Sequence, residues 1–292
     1  MPQKISLERY ILSEEENQKI FDEDIKFKLS SVSIRIKKPF AIFLGGQSES
    51  GKGSLENYLS AQLIQNGKAL IINSDALREF HPNFANLQKT ETIKASFLVN
   101  QDTIKWQQKL IALAIKLRCS LIFDGTLGGH PEPILETMRM LREKEYQLQV
   151  SVLAVPARLS RFGIYKRYED QLTLKGSGRW VGLETHDRQY ADIPKTLALL
   201  ESNKAVDRIQ IYTRPTGILP PDLFYDNLVK DGDWQHPLNA VHVLTEARNR
   251  VWTNEEQNAF TTAVQAVAEQ MRQRGVSQDD IDNFHRYVEC PL

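Results

Sequence analysis

Gly46-Gln47-Ser48-Glu49-Ser50-Gly51-Lys52-Gly53-Ser54 follows the apolar run Ala41-Ile42-Phe43-Leu44 and opens a helical pattern. Strand, glycine-punctuated loop, lysine and helix in that order are the parts of a phosphate-binding loop. Backbone N–H groups at the helix N-terminus converge on one small cavity, the helix dipole favours negative charge there, and the lysine supplies a cation. The stretch therefore predicts a site for the phosphates of a nucleoside triphosphate, built from Gly46, Gln47, Ser48, Glu49, Ser50, Gly51, Lys52, Gly53 and Ser54. The usual pattern places a serine or threonine directly after the lysine to reach Mg2+; here Gly53 stands in that place, and the Ser54 hydroxyl is the candidate metal ligand one step later. Glu49 is an anion inside an anion cradle, so its side chain is expected to point outward to solvent.

Compact apolar runs recur outward from the loop, alternating with amphipathic stretches, which is the sequence sign of β-α-β units and a parallel sheet. The runs are Phe40 to Leu44, Ala69 to Ile72, Leu121 to Phe123, Val150 to Val155 and Ile209 to Tyr212, with helices expected over 52–66, 90–117, 133–145, 157–172 and 187–202. Before them, Ser13 and Glu16 form a capping-box pattern ahead of Ile20, Phe21 and Ile25 at helical spacing. The texture changes at Pro215, Gly217, Pro220 and Pro221. Beyond it, Thr253 to Glu256 starts a helix striped by Phe260, Val264, Val267 and Met271, and Ser277 caps another. The expected fold is α/β, a P-loop kinase-like parallel sheet flanked by helices, with an N-terminal helix and a helical C-terminal extension. The divisions fall at residues 1–38, 39–214 and 215–292.

Length and composition agree with a soluble globular chain. The 292 residues are 41% hydrophobic and 25% charged, and 37 Lys and Arg balance 37 Asp and Glu. That balance provides no global field for nucleic acid or an anionic membrane. No apolar stretch is long enough to span a bilayer, and the first residues lack a signal-peptide pattern, so a cytoplasmic location is expected. Two cysteines, Cys119 and Cys290, do not make a disulfide framework and suit a reducing compartment.

In an open parallel sheet, ligands bind beyond the carboxyl ends of the strands, so the residues after each run carry the chemistry. The second run leads to Asn73-Ser74-Asp75, then Arg78 and His81-Pro82-Asn83-Phe84. Asp75 is the candidate base for an acceptor hydroxyl, and it also stands where a helix N-cap would. The third run ends Asp124-Gly125-Thr126, an acidic strand tip that steadies magnesium or substrate, or else a turn. The fourth leads into Arg161, Lys166 and Arg167 and the glycine-flanked Arg179, cations suited to a transferring phosphoryl group where they reach it and to the solvated surface where they do not. His81 has no metal-ligand companions at useful spacing and is read as shaping the substrate pocket.

These residues resemble the zeta toxin family, the kinase half of bacterial toxin–antitoxin pairs. The matching elements are Leu44-Gly45-Gly46-Gln47 with Gly51-Lys52, Asp75 with Arg78, His81 to Phe84, Asp124-Gly125-Thr126, Ala154-Val155-Pro156, Arg167-Tyr168-Glu169 and Arg179, in the family's order over about residues 10 to 214. The resemblance implies a kinase that uses ATP or GTP with Mg2+ to phosphorylate the 3-hydroxyl of the amino sugar in UDP-N-acetylglucosamine and so blocks peptidoglycan synthesis. By the same resemblance Lys52 holds the β- and γ-phosphates, Asp75 acts as the base, Asp124 and Thr126 (with Arg78 and His81 beside them) bind the acceptor, and Arg167 and Arg179 clamp the triphosphate. A related branch phosphorylates NAD, and a catalytically silent nucleotide-binding module is the third reading. Glu49 stands where the family has glycine, and Asp124 where it has glutamate. The resemblance also implies a small helical antitoxin that occludes the nucleotide site, a task for which the C-terminal helices offer an internal alternative.

Overall fold

The computed structural model describes residues 7–63, 67–214 and 220–290. The strands are β1 (Phe40–Gly45), β2 (Leu70–Asn73), β3 (Leu121–Asp124), β4 (Gln147–Ala154), β5 (Arg208–Thr213), β6 (Asp222–Lys230) and β7 (Asp233–Trp234). They form one sheet in the order β2-β3-β1-β4-β5-β6-β7. The first five are parallel; β1 lies between β3 and β4, and the tips of β3 and, beyond it, β2 lie on one side of the loop that leaves β1.

The helices are α1 (Glu14–Ile20), α2 (Lys52–Leu63), α3 (Ser74–Arg78), α4 (Phe84–Thr90), α5 (Ala95–Leu98), α6 (Asn100–Leu117), α7 (Glu132–Glu143), α8 (Ala157–Lys175), α9 (Leu183–Ser202), α10 (Ala240–Arg248), α11 (Asn254–Gln273) and α12 (Gln278–Glu289). Because the parallel strands are covered on both faces, they read as unbroken apolar runs rather than alternating ones. One face packs Phe43, Ile72, Leu121, Val150 and Ile211 against Trp106 and Leu110 of α6, Met138 of α7 and Leu197 of α9. The other packs Ile42, Leu44, Ile122 and Leu153 against Leu55, Leu59 and Leu63 of α2. The helix expected from residue 90 begins at Asn100, preceded by the short α4 and α5; the last three residues of the stretch expected over 52–66 lie outside the described residues.

The capping box at Ser13 and Glu16 forms, and α1 continues as a wider π turn over Phe21–Ile25 that buries Phe21 and Ile25. What ties this segment down is Asp102 on α6, buried, whose carboxylate accepts from the Leu12 N–H at 3.0 Å and from Asn17 Nδ2 at 2.8 Å. The Trp106 indole donates to the Asn17 carbonyl at 3.0 Å.

Residues 222–230, beyond the proline-rich stretch, are not helical. They add the antiparallel strand β6 to β5, then turn at Asp231 (φ 53°) and Gly232 (φ 86°) into β7. Two successive left-handed residues are what a two-residue hairpin turn requires, and Asp-Gly supplies them at small cost. Helicity returns at Ala240. The stripe Phe260, Val264, Val267 and Met271 on α11 is core, packed with Phe284 of α12 on Phe162 and Tyr165 of α8.

Asp102→Ala would leave buried N–H donors without an acceptor, and unfolding by denaturant should show a loss of about 2–4 kcal/mol together with faster proteolysis before Leu12. Cys119 is buried, its thiol pushed up to about 11 by burial, whereas Cys290 is exposed. A thiol reagent at neutral pH should therefore count one fast group in the native protein and two after denaturation.

Candidate active site

The loop after β1 takes its shape from backbone that tolerates positive φ at Gly46 (149°) and Gly51 (94°). It is held from three sides. The Gly46 N–H donates to the Thr126 carbonyl at 3.0 Å, joining it to the loop after β3. Gln189 of α9 accepts from both the Ser48 N–H (3.0 Å) and the Ser48 hydroxyl (2.9 Å). Gln47 turns its side chain into the protein, donating to the Val155 carbonyl at 2.9 Å and to Ser160 Oγ at 3.0 Å. Its amide oxygen accepts at 3.3 Å from Arg248, a buried guanidinium pulled down to about 10 by burial and stacked 4.0 Å over the Tyr190 ring.

The Lys52 ammonium folds onto the loop itself, donating to the Gly46 carbonyl at 2.8 Å and the Gln47 carbonyl at 3.0 Å. Burial lowers its pKa, opposed by the charges of Asp124, Asp75 and Glu49. Asp124, at the tip of β3, accepts from Asn73 Nδ2 at 2.6 Å, while its Oδ1 is buried with no partner. Burial raises its carboxyl pKa above the ordinary range despite the pull of Lys52. An unsatisfied hard oxygen of this kind, facing a cleft beside the loop lysine, fits a magnesium ligand. Ser54 does not: its hydroxyl donates to the Gly51 carbonyl at 2.9 Å and it lies exposed, away from the cleft walls.

Asp75 sits in the first turn of α3, but the N-cap is Asn73, whose Oδ1 accepts from the Asp75 and Ala76 N–H groups at 2.9 and 3.1 Å. The Asp75 carboxylate is thereby left for charge pairing. Arg78 Nη1 lies 2.5 Å from one oxygen, and Arg179 bonds the other. Burial works against the charged form, yet Arg179 and then Arg78 outweigh it and hold Asp75 below the usual carboxylate range. Arg167 of α8 reaches the same cleft and pairs with Glu49 at 2.5 Å. The Glu49 carboxylate is thus neutralised by a guanidinium rather than turned to solvent as expected, with its side chain 15% exposed. Of the other α8 cations, Arg161 is buried on Asp187 and Lys166 pairs with Asp170 at the surface.

These groups line one cleft of about 690 Å³ that includes Lys52, Asp75, Arg78, Asp124, Thr126, Arg167 and Arg179. It adjoins a second, mainly apolar cavity of about 610 Å³ between α6 and α7, with Phe123, Gly125 and Thr126 common to both. Thr126 keeps its hydroxyl in a local turn with Gly128. His81 is not brought to the cleft. It is buried beneath the N-terminal segment, Nε2 3.1 Å from the Tyr10 carbonyl and Nδ1 accepting from the Asn83 N–H at 3.3 Å, and burial lowers its pKa against the pull of Asp102. No described residue beyond Gln189 lines the cleft, so the C-terminal helices do not enter it. Gln189 and Arg248 were illegible in the sequence, since each meets the loop from more than 140 residues away without a local pattern.

A geometric Ser-His-Asp trio also lies near the loop: His186 is 2.8 Å from Ser160 Oγ and 2.8 Å from Asp187 Oδ1. It is structural. Ser160 is fully buried and donates to the Ala157 carbonyl, and Asp187 is tied to Arg161 and the Tyr287 hydroxyl of α12.

The strand order, the loop at the tip of the central strand, and the carboxylates at the tip of β3 and in the helix after β2 define a P-loop kinase-like fold. The family model described as Zeta toxin matches residues 25–227, and the chain belongs to that family. Toxin PezT of Streptococcus pneumoniae serotype 4 is 29% identical over 222 residues, covering 75% of this chain and 82% of that protein. Toxin zeta of Streptococcus agalactiae is 28% identical over 200 residues, 64% of each chain, so this chain matches less than two thirds of that relative's length. A solved structure of the PezAT chromosomal toxin–antitoxin system of Streptococcus pneumoniae superposes with a TM-score of 0.72 at 22% identity, covering 90% of this chain and 98% of that one. The AvrRxo1-ORF1:-ORF2 structure with ATP gives 0.53 at 12% identity over 94% and 85%. These two likenesses are of fold.

Asp124→Asn should stabilise the protein without nucleotide. A carboxyl whose folded pKa is raised favours folding below its unfolded pKa and loses that contribution as pH rises toward the folded value. The amide keeps the acceptor for Asn73 without the buried charge, so denaturation should show a gain of about 1 kcal/mol at pH 7 and little at pH 3, as at other strained functional positions.

Proposed function

We propose that this protein is a kinase that transfers the γ-phosphate of ATP or GTP to a hydroxyl of a nucleotide sugar, with UDP-N-acetylglucosamine as the acceptor, and thereby inhibits cell-wall synthesis. The observation that carries the reading is the convergence of Lys52, Asp75, Arg167 and Arg179 on the cleft at the loop of residues 46–54. In this reading the backbone amides of the loop and Lys52 gather the triphosphate. Lys52 exchanges its bonds to the Gly46 and Gln47 carbonyls for phosphate oxygens. Asp124, in place of the expected Ser54, would hold Mg2+, which would supply charge neutralisation for the triphosphate.

Asp75 receives the proton of the acceptor hydroxyl as that oxygen bonds to the γ-phosphorus and the bond to the nucleoside diphosphate breaks. Arg167 and Arg179 neutralise the equatorial oxygens during the transfer. Holding Asp75 ionised by two guanidiniums keeps it ready to accept a proton at neutral pH, and drawing Arg179 onto phosphate restores its basicity when substrate is present. The second cavity, largely apolar and continuous with the first through Phe123 and Thr126, has room for the part of the acceptor that does not react. An antitoxin that covers this cleft is the partner proposed, in keeping with the toxin–antitoxin system named for the pneumococcal structure.

Asp75→Asn should lower phosphoryl transfer by about 10²- to 10⁴-fold and abolish growth inhibition on expression, with nucleotide binding retained. Incubating the wild-type protein with labelled ATP, Mg2+ and a metabolite extract identifies the acceptor. Label on UDP-N-acetylglucosamine is the expected result, label on NAD would replace the acceptor while keeping the reaction, and binding without transfer would leave only a nucleotide-binding module.

A further inference from the structure

Glu49 breaks two local rules at once. Its backbone is left-handed (φ 59°), a conformation that favours glycine, and it places an anion on the rim of a cleft built to receive anions. A strained backbone persists where the surrounding structure over-determines it, and here the surroundings are specific. The carboxylate is 2.5 Å from Arg167 Nη1. Four residues before Arg167, on the same side of α8, stands Gly163. A Cβ added there would meet the Glu49 Cβ at 3.0 Å and the Glu49 carbonyl at 3.3 Å. Glycine in a helix interior is unfavourable, so α8 carries a notch whose occupant is Glu49. Glu49 on the loop and, more than 110 residues later in the chain, Gly163 and Arg167 on one helix thus agree on one contact.

We propose that Glu49 is a positioning residue: it holds Arg167 at the mouth of the nucleotide loop while no triphosphate is bound, and surrenders it to the γ-phosphate when one arrives. The inference rests on the kinase reading above and deepens it. Arg167 is then already oriented, and exchanges one oxyanion for another at the same rim rather than being fixed only when phosphate arrives. Arg179 is matched in the same way by Asp75, so both arginines assigned to the transferring phosphate begin on a carboxylate of the site itself.

The test is calorimetric titration of the full chain with inorganic tripolyphosphate and with a non-hydrolysable ATP analogue. The proteins compared are wild type, Glu49→Gln, Arg167→Gln and the double variant, with KM and kcat for nucleotide measured in parallel. Glu49→Gln should bind both probes about tenfold tighter than wild type; its KM should fall without a rise in kcat, and the double variant should bind no tighter than Arg167→Gln alone. Should Glu49→Gln fold poorly, Glu49→Gly, which suits the backbone, should show the same tightening. Equal or weaker binding in both Glu49 variants overturns the proposal, and so does a gain that persists without Arg167. Tighter binding in Glu49→Gln with no phosphoryl transfer by wild type would remove the kinase reading and leave the exchange of Arg167 in place.

Discussion

Charge matching at the carboxyl edge of the sheet is the constraint on which the rest of the structure turns. Lys52, Arg78, Arg167 and Arg179 meet Glu49, Asp75 and Asp124 in one partly buried cleft. Cations gathered there without partners would repel one another at low effective dielectric, where Coulomb energies are several-fold larger than in water. The carboxylates make the ligand-free fold possible, and the unpartnered oxygen of Asp124 together with the lowered pKa of Lys52 mark where the matching is incomplete. A site satisfied by its own side chains in the absence of ligand, and better satisfied by phosphate, is suited to reversible use.

The sheet order makes this arrangement geometrically available. With β1 central, the loop of residues 46–54 leaves between the tip of β3, which carries Asp124, and the start of α8 after β4, which brings Arg167. Asn73 ties the tips of β2 and β3 together and caps α3, so one side chain orients both carboxylates. The segment after the proline-rich stretch is part of the same construction: β6 extends the sheet, Arg248 of α10 supports Gln47 from beneath the loop, and α12 closes over Arg161 and Asp187.

Much of this was legible beforehand, for reasons that differ by residue. The five parallel strands announced themselves as apolar runs because both faces are buried, and the loop was recognisable because its chemistry needs glycines and a lysine at fixed offsets. The hairpin at Asp231-Gly232 carries its own turn signal, but the strand before it is mostly exposed and lacks the apolar run that marks the parallel strands. His81 misled because a histidine beside a strand tip looks available until the N-terminal segment is seen lying over it. Ser54 misled because a one-residue shift along a helix rotates a side chain by about 100°, enough to turn its hydroxyl from the cleft to a backbone carbonyl.

By itself the chain's order of residues determined the parallel sheet, the loop at its centre, the strand tip that carries Asp124 and the turn after β2 that carries Asp75, because hydrophobic period and glycine placement act over short distances. Only the tertiary structure decided which charges pair. Whether Glu49 faces water or Arg167, whether Asp75 meets Arg179, and whether Gln189 clasps the loop all depend on residues more than 100 positions away in sequence. Electrostatic partners are chosen by distance in space, and no local pattern encodes that distance.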